Sequence, residues 1–205
     1  MKIFSKDNYF EDPDLIRKIA LSVDDYRINN DLKEPSTGWR GKRSFPLREM
    51  NDPFLNDIDE RILKDCSDFF NLENYIHPLG GFYQFSKEPV KDLVITTYFH
   101  MIFGYNKKSF IDFYQDRFHK DGYTIIAGVI YLNPDAPLTA GTTVLDGENN
   151  QMINVENKYN RLVAYEGYRI HAPSDVFGNN DNDGRLRSEE HTSELQSPCN
   201  LVCRL

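Results

Sequence analysis

The chain has 205 residues, a formal net charge of -8, 40% hydrophobic and 13% aromatic residues. With 14 Phe and 12 Tyr it can build a packed core, which argues against intrinsic disorder. An acidic balance makes it a poor candidate for a general nucleic-acid binder, no apolar run approaches a membrane span, and three Cys make no disulfide scaffold. The N-terminus has no apolar stretch like that of a signal peptide, so a soluble, cytoplasmic protein is expected.

Asp12-Pro13 predicts a helix start, since Asp can cap and Pro suits the first helical position; Leu15, Ile16, Ile19, Ala20 and Val23 follow at helical spacing. Asp52-Pro53 repeats the device. Phe54, Leu55, Ile58, Ile62, Leu63, Cys66, Phe69 and Phe70 then mark the apolar face of a longer helix, with Cys66 in the core. Between them, residues 29–51 read as a polar loop around Trp39-Arg40-Gly41-Lys42-Arg43-Ser44. That run is either a solvated loop or part of a substrate mouth.

From about residue 80 the pattern becomes β. Gly80-Gly81 leads into FYQFS, and segments 93–103, 110–118 and 123–132 are rich in β-branched and aromatic residues. Asn133-Pro134-Asp135 ends the last with turn chemistry. Short strands are expected at 142–145 and 152–155, then at 161–171. Two helices followed by many strands suggest a single α+β domain, 1–186, with a helical part at 1–79 and a β sandwich or barrel at 80–186.

His119-Lys120-Asp121 is a weak signal alone, because a chance His-x-Asp is common in a chain this rich in Asp. Its placement at a strand end raises it, as does a second His, His171, 52 residues on and at the end of another strand; Arg185 follows 14 residues later. Spacing of i, i+2 puts His119 and Asp121 on one side of an extended chain. Two His and one carboxylate on one face of a metal suit Fe(II) and leave positions open. An Arg can grip a carboxylate through two parallel hydrogen bonds, which Lys cannot do. Among the other residues, His77 before Pro78 reads as loop, His100 as strand packing, Arg161 as a structural ion-pair partner, and Thr142 and Thr143 as ordinary strand residues.

FHKD (118–121), GVIYLNPDAP (128–137), AGTTVL (140–145), NRLVAYEGYRIH (160–171) and GRL (184–186) stand in an order that resembles the Fe(II)/2-oxoglutarate-dependent oxygenases, in particular the prolyl 4-hydroxylase-like group. The resemblance spans roughly residues 110–186. It implies a double-stranded β-helix (jelly-roll) core behind N-terminal helices, with Fe(II) held by His119, Asp121 and His171. Arg185 would bind 2-oxoglutarate, with Tyr131 either assisting or serving only as a strand aromatic. The implied reaction is hydroxylation by O2 with release of succinate and CO2. Its substrate is an unidentified peptide side chain, such as a prolyl residue, or a small molecule. The rival expectations are a non-catalytic jelly-roll module with a vestigial metal site and a cupin-like metal protein, although a cupin would use more His.

Residues 187–205, RSEEHTSELQSPCNLVCRL, show neither helical nor strand period, and their first part resembles a translated sequencing-library adapter. The expectation is a non-native tail, a natural sequence that stops near Leu186, and a jelly roll whose last strand is truncated.

Overall fold

The computed structural model describes residues 1–29, 41–74, 93–104, 118–121, 124–149 and 151–194. His77, the Gly80-Gly81 segment, Trp39, Arg40 and most of the expected strand 110–118 lie outside the described residues.

The strands are β1 (Ile3–Lys6), β2 (Arg27–Asn29), β3 (Gly41–Arg43), β4 (Leu93–Ile102), β5 (Ile126–Tyr131), β6 (Thr142–Asp146), β7 (Gln151–Val155), β8 (Leu162–Glu166), β9 (His171–Pro173) and β10 (Arg185–Glu194). The helices are α1 (Pro13–Leu21) and α2 (Ile58–Phe70). A seven-stranded sheet runs β1-β8-β5-β10-β4-β3-β2 and a three-stranded sheet β7-β6-β9; all the paired strands are antiparallel. The described chain is thus mostly β-sheet with two helices, and none of its helices is long and apolar enough to cross a membrane.

α1 begins as its sequence dictates: the Asp12 side chain accepts from the Leu15 backbone N–H, with Pro13 in the first turn. α2 does not start at Asp52-Pro53. The Asp52 carboxylate accepts from Phe54 N–H and its carbonyl from Leu55 N–H, closing tight turns, and the regular helix begins at Ile58. Ile58, Ile62, Cys66 and Phe70 form its buried stripe at i, i+4 spacing, whereas Phe54 and Phe69, expected on that face, are exposed.

The large sheet is buried on both sides. Its outer face packs against the helices through Ile95, Phe99, Met101, Ile126, Ile130, Leu162, Ala164 and Leu186. Its inner face carries Ala127, Val129, Tyr131, Val163 and Tyr165 against Val144 of the small sheet. β5, buried at every residue, therefore reads as an unbroken apolar run rather than an alternation.

Several expectations need correction. The N-terminal third is not only helical: β1 pairs with β8, and the expected loop 29–51 contributes β3, which carries β2 onto the edge of β4. The segment 161–171 is two strands, because Glu166-Gly167-Tyr168 turns the chain out of the large sheet and into the small one; His171 opens β9 instead of ending a strand. The last strand is not lost. β10 runs through Glu194 between β4 and β5, pairing with both, and buries Arg187 and Ser188. A ladder needs only backbone N–H and C=O groups, and residues 185–194 contain no proline to remove a donor. A polar, aperiodic segment can therefore fill a place between two strand edges.

Candidate metal centre

His119 and His171 meet as an antiparallel pair, each backbone N–H donating to the other's carbonyl, at 3.1 and 2.9 Å. This pairing links the segment before β5 to the start of β9, and the two rings stand 4.4 Å apart between centroids. Asp121 is placed by its backbone. Its N–H donates to the Gly167 carbonyl at 3.0 Å and its carbonyl accepts from Thr124 at 2.9 Å. Gly167 has no room for a side chain, since a Cβ there would stand 2.4 Å from the Thr124 carbonyl oxygen.

The three side chains converge. Asp121 Oδ1 lies 3.5 Å from His119 Nε2, and Asp121 Oδ2 lies 3.2 Å from His171 Nε2. One ligand atom from each residue falls within 4.8 Å of the other two. Two ligands bonded at about 2.1 Å are about 3.0 Å apart at right angles and about 3.4 Å apart in tetrahedral geometry. The two Asp121–His separations lie near that span, all three donor atoms lie within 4.8 Å of one another, and two imidazoles with one carboxylate are donors that suit a divalent ion. His171 Nδ1 lies 2.9 Å from the Arg169 carbonyl, which can only accept. Nδ1 therefore donates to that carbonyl and the ring turns Nε2 toward Asp121, the usual arrangement behind a metal-ligating imidazole. The Tyr165 ring, 4.8 Å from that of His171, closes its inner side. The side chains of His171 and Asp121 are 6% and 13% exposed and that of His119 39%, so the group opens to solvent on the His119 side.

A second polar cluster lies further along the inner face. Val144 pairs with His171 and Thr142 with Pro173, so Thr142 stands one same-face step, about 7 Å, from the His171 row. The Tyr131 and Thr142 hydroxyls are 2.8 Å apart, and Tyr131 is fully buried, which raises its phenol pKa despite the neighbouring Arg185. Arg185, also fully buried, donates from Nε to the Ala140 carbonyl at 3.0 Å and from Nη2 to the Gly141 carbonyl at 2.8 Å. Its guanidinium carbon stands 5.8 Å from the centre of the Tyr131 ring. Gly141 fits only glycine, because a Cβ would meet the Val155 carbonyl oxygen at 1.7 Å.

The structure therefore brings His119, Asp121 and His171 together, and groups Arg185 with Tyr131 and Thr142. Cys66 is core and His100 is buried on β4, as expected. Arg161 is an ion-pair residue, its Nε 2.6 Å from Asp7 Oδ1. Thr142 is more than a strand filler. The supporting residues Gly167, Arg169 and Tyr165 went unseen in the sequence; the one available signal was a glycine inside a strand-like run, which marks a turn or a close backbone approach.

No protein-family model matches the chain, and no curated protein is similar to it in sequence. Solved structures are similar in fold. A prolyl-4-hydroxylase from Pseudomonas putida superposes with a TM-score of 0.51 at 11% identity, covering 95% of this chain and 93% of that one. A prolyl hydroxylase from Trichoplax adhaerens, solved with a hypoxia inducible factor peptide fragment, gives 0.53 at 9% identity over 99% and 87%. HygX from Streptomyces hygroscopicus, solved with nickel and 2-oxoglutarate, gives 0.52 at 10% identity over 93% and 82%. At such identities the likeness is one of fold alone, and the chain shares the fold of these two prolyl hydroxylases and of HygX.

Proposed function

We propose that the chain is an Fe(II)- and 2-oxoglutarate-dependent dioxygenase with a double-stranded β-helix core, hydroxylating a prolyl or other protein side chain or a small molecule. The observation that carries this reading is the convergence of His119, Asp121 and His171, with the His171 ring oriented by the Arg169 carbonyl. These three residues would hold the iron. An iron bound there with 2-oxoglutarate and O2 would supply the oxidising power for hydroxylation, with succinate and CO2 as the co-products.

The chain's own groups do the rest. Two neutral imidazoles and one carboxylate leave a divalent ion with net positive charge and open positions. Arg185 and Tyr131, about one strand step further in, would receive the far carboxylate of a five-carbon 2-oxo diacid, which is of that length. A bidentate grip would use the Nη1–Nη2 edge of the guanidinium, while Nε and Nη2 hold the Ala140–Gly141 carbonyls and fix its plane. Tyr165 and Val144 exclude water from the inner side, and substrate approaches over the exposed His119 edge. The HygX structure, with nickel and 2-oxoglutarate on a similar fold, supports the cosubstrate part of the reading.

The test is succinate formation from 2-oxoglutarate with Fe(II) and O2, with Asp121→Ala and His171→Ala beside the wild type. Iron-dependent succinate formation lost in both variants is expected; equal formation in the variants would refute the assignment.

A further inference from the structure

The C-terminal end of α1 and the segment after β3 face each other across an open groove of about 460 Å³. Its floor is apolar, with Ile19 and Val23 from the α1 side and Phe45 and Met50 from the other. Ile19, Val23 and Met50 rest on the main core and stay half-buried, and Phe45 is 43% exposed. The chain itself holds the walls. Ser22 closes α1, its N–H and its hydroxyl both donating to the Ile19 carbonyl, and the Tyr26 hydroxyl donates to the Ala20 carbonyl. Opposite, the Ser44 N–H donates to the Phe99 carbonyl and the Met50 N–H to the Leu47 carbonyl. The volume falls within the range of about 300–1,000 Å³ usual for preformed binding clefts. The rim is acidic: Asp24, Asp25, Glu49 and Asp52 line the groove, and no Lys or Arg does. Asp52 accepts from the Phe54 N–H, while Asp24, Asp25 and Glu49 are exposed, and among the described residues no ion pair engages them. The arginines of the adjoining segments are engaged: Arg17 and Arg48 donate to the Leu132 and Ile95 carbonyls, and Arg27, 5.2 Å from the centre of the Phe45 ring, to the Ser44 carbonyl. The groove also lies at the end of α1 where the helix dipole is negative.

We propose that this groove docks a basic amphipathic segment of another polypeptide, its apolar residues on the floor and its Lys or Arg residues against the acidic rim. Charge selects the occupant. Four carboxylates repel nucleic acid, an anionic membrane and a second copy of a chain of net charge -8. A simple polycation would satisfy the rim and leave the apolar floor in water. A segment with apolar side chains three and four residues apart on one helix face, and basic ones beside them, satisfies both. Apolar contact inside a charged rim is also the ordinary layout of a protein interface, in which the rim sets the approach rate and the choice of partner. None of the groove residues belongs to the His119, Asp121 and His171 group or to the Arg185 cluster, so docking here is independent of the oxygenase reading.

The test is fluorescence anisotropy of a labelled Leu-Lys peptide, apolar on one helix face, titrated with the full chain. The same peptide with Glu in place of Lys, the same with Ser in place of Leu, and spermine as competitor are the comparisons. The Leu-Lys peptide is expected to bind, less tightly as salt rises, and the Leu-Glu and Ser-Lys peptides about tenfold more weakly or worse. The variant Asp24→Asn/Asp25→Asn/Glu49→Gln, changed only at exposed positions, should weaken the Leu-Lys peptide about tenfold. Phe45→Ser should weaken it several-fold with the salt dependence unchanged. Asp68→Asn/Glu73→Gln/Asp135→Asn removes the same charge from exposed positions outside the groove and should bind as the wild type does. If Phe45→Ser fails to fold by circular dichroism, the carboxylate variants carry the test alone. No binding of the Leu-Lys peptide to the wild type, equal binding of the Ser-Lys peptide, displacement by spermine at equal concentration, or an equal loss in the two carboxylate variants would each overturn the proposal.

Discussion

Replacing Asp121 by Ala should separate metal binding from folding. The backbone of Asp121 holds its segment in place, donating to Gly167 and accepting from Thr124, and Ala keeps both bonds. The carboxylate faces the His119 and His171 imidazoles, and losing those polar contacts should cost the metal-free variant about 1 kcal/mol. Metal affinity should change far more. Loss of residues that merely orient ligands costs about 10–100-fold, so loss of the one charged ligand should cost about 100-fold or more, or about 2.7 kcal/mol. A metal present at about 100 times its Kd stabilises the wild type by about 2.7 kcal/mol. In a chain of this size each kcal/mol moves the Tm by about 2–4 °C, so Zn(II) should raise the wild-type Tm by about 5–11 °C. Asp121→Ala should lose that rise while melting within about 2–4 °C of the wild type in chelator. Competition with a chromophoric chelator gives the affinity and scanning calorimetry the Tm. Equal Zn(II) affinity in the two proteins, or an equal rise in Tm, would refute the reasoning.

Other outcomes follow from the same contacts. Arg185→Lys should weaken 2-oxoglutarate by about tenfold or more with Zn(II) affinity unchanged, read by calorimetry, because an ammonium cannot reproduce the fork that also holds Ala140 and Gly141. Gly167→Ala should lower Zn(II) affinity, since its Cβ would displace Thr124 and the Asp121 segment bonded to it. Hydrogen bonds from Arg161 and Lys158 hold the Asp7 carboxyl down at about 2. A lowered folded pKa stabilises above the unfolded value near 3.8 and loses that contribution as pH falls through about 2. Acid titration of Asp7→Asn should therefore show a smaller drop in stability between about pH 4 and 2 than the wild type. Cutting the chain after Leu186 should lower the Tm and promote association, seen by light scattering, because β4 and β5 would both lose the strand between them. Replacing residues 187–194 by an alternating apolar strand should raise the Tm above that of the present chain, since the same backbone ladder would then also bury apolar side chains.

The convergence of His119, Asp121 and His171 was legible because the pattern that pointed to it is local. His119 and Asp121 are fixed by i, i+2 spacing, and His171 by its place in the motif order. The helix stripes of Ile58, Ile62, Cys66 and Phe70 were legible because burial follows the helical period. β2 and β3 were not. Their Arg and Lys residues pair through backbone and stack on aromatic rings, and carry no apolar alternation to announce a strand. β10 escaped for the same reason, its ladder needing no side chain. The clamp at Asn160 was also invisible. Its side-chain amide exchanges two hydrogen bonds with the Phe10 backbone, 150 residues away, and ties the N-terminal segment to the entry of β8.

Anaerobic titration of the protein with Fe(II) and 2-oxoglutarate tests whether His119, Asp121 and His171 hold Fe(II) in reach of a 2-oxo diacid bound by Arg185. A weak visible charge-transfer band that saturates at one equivalent of each is expected, and its absence in His171→Ala. No band in the wild type, or the same band in His171→Ala, would contradict that arrangement.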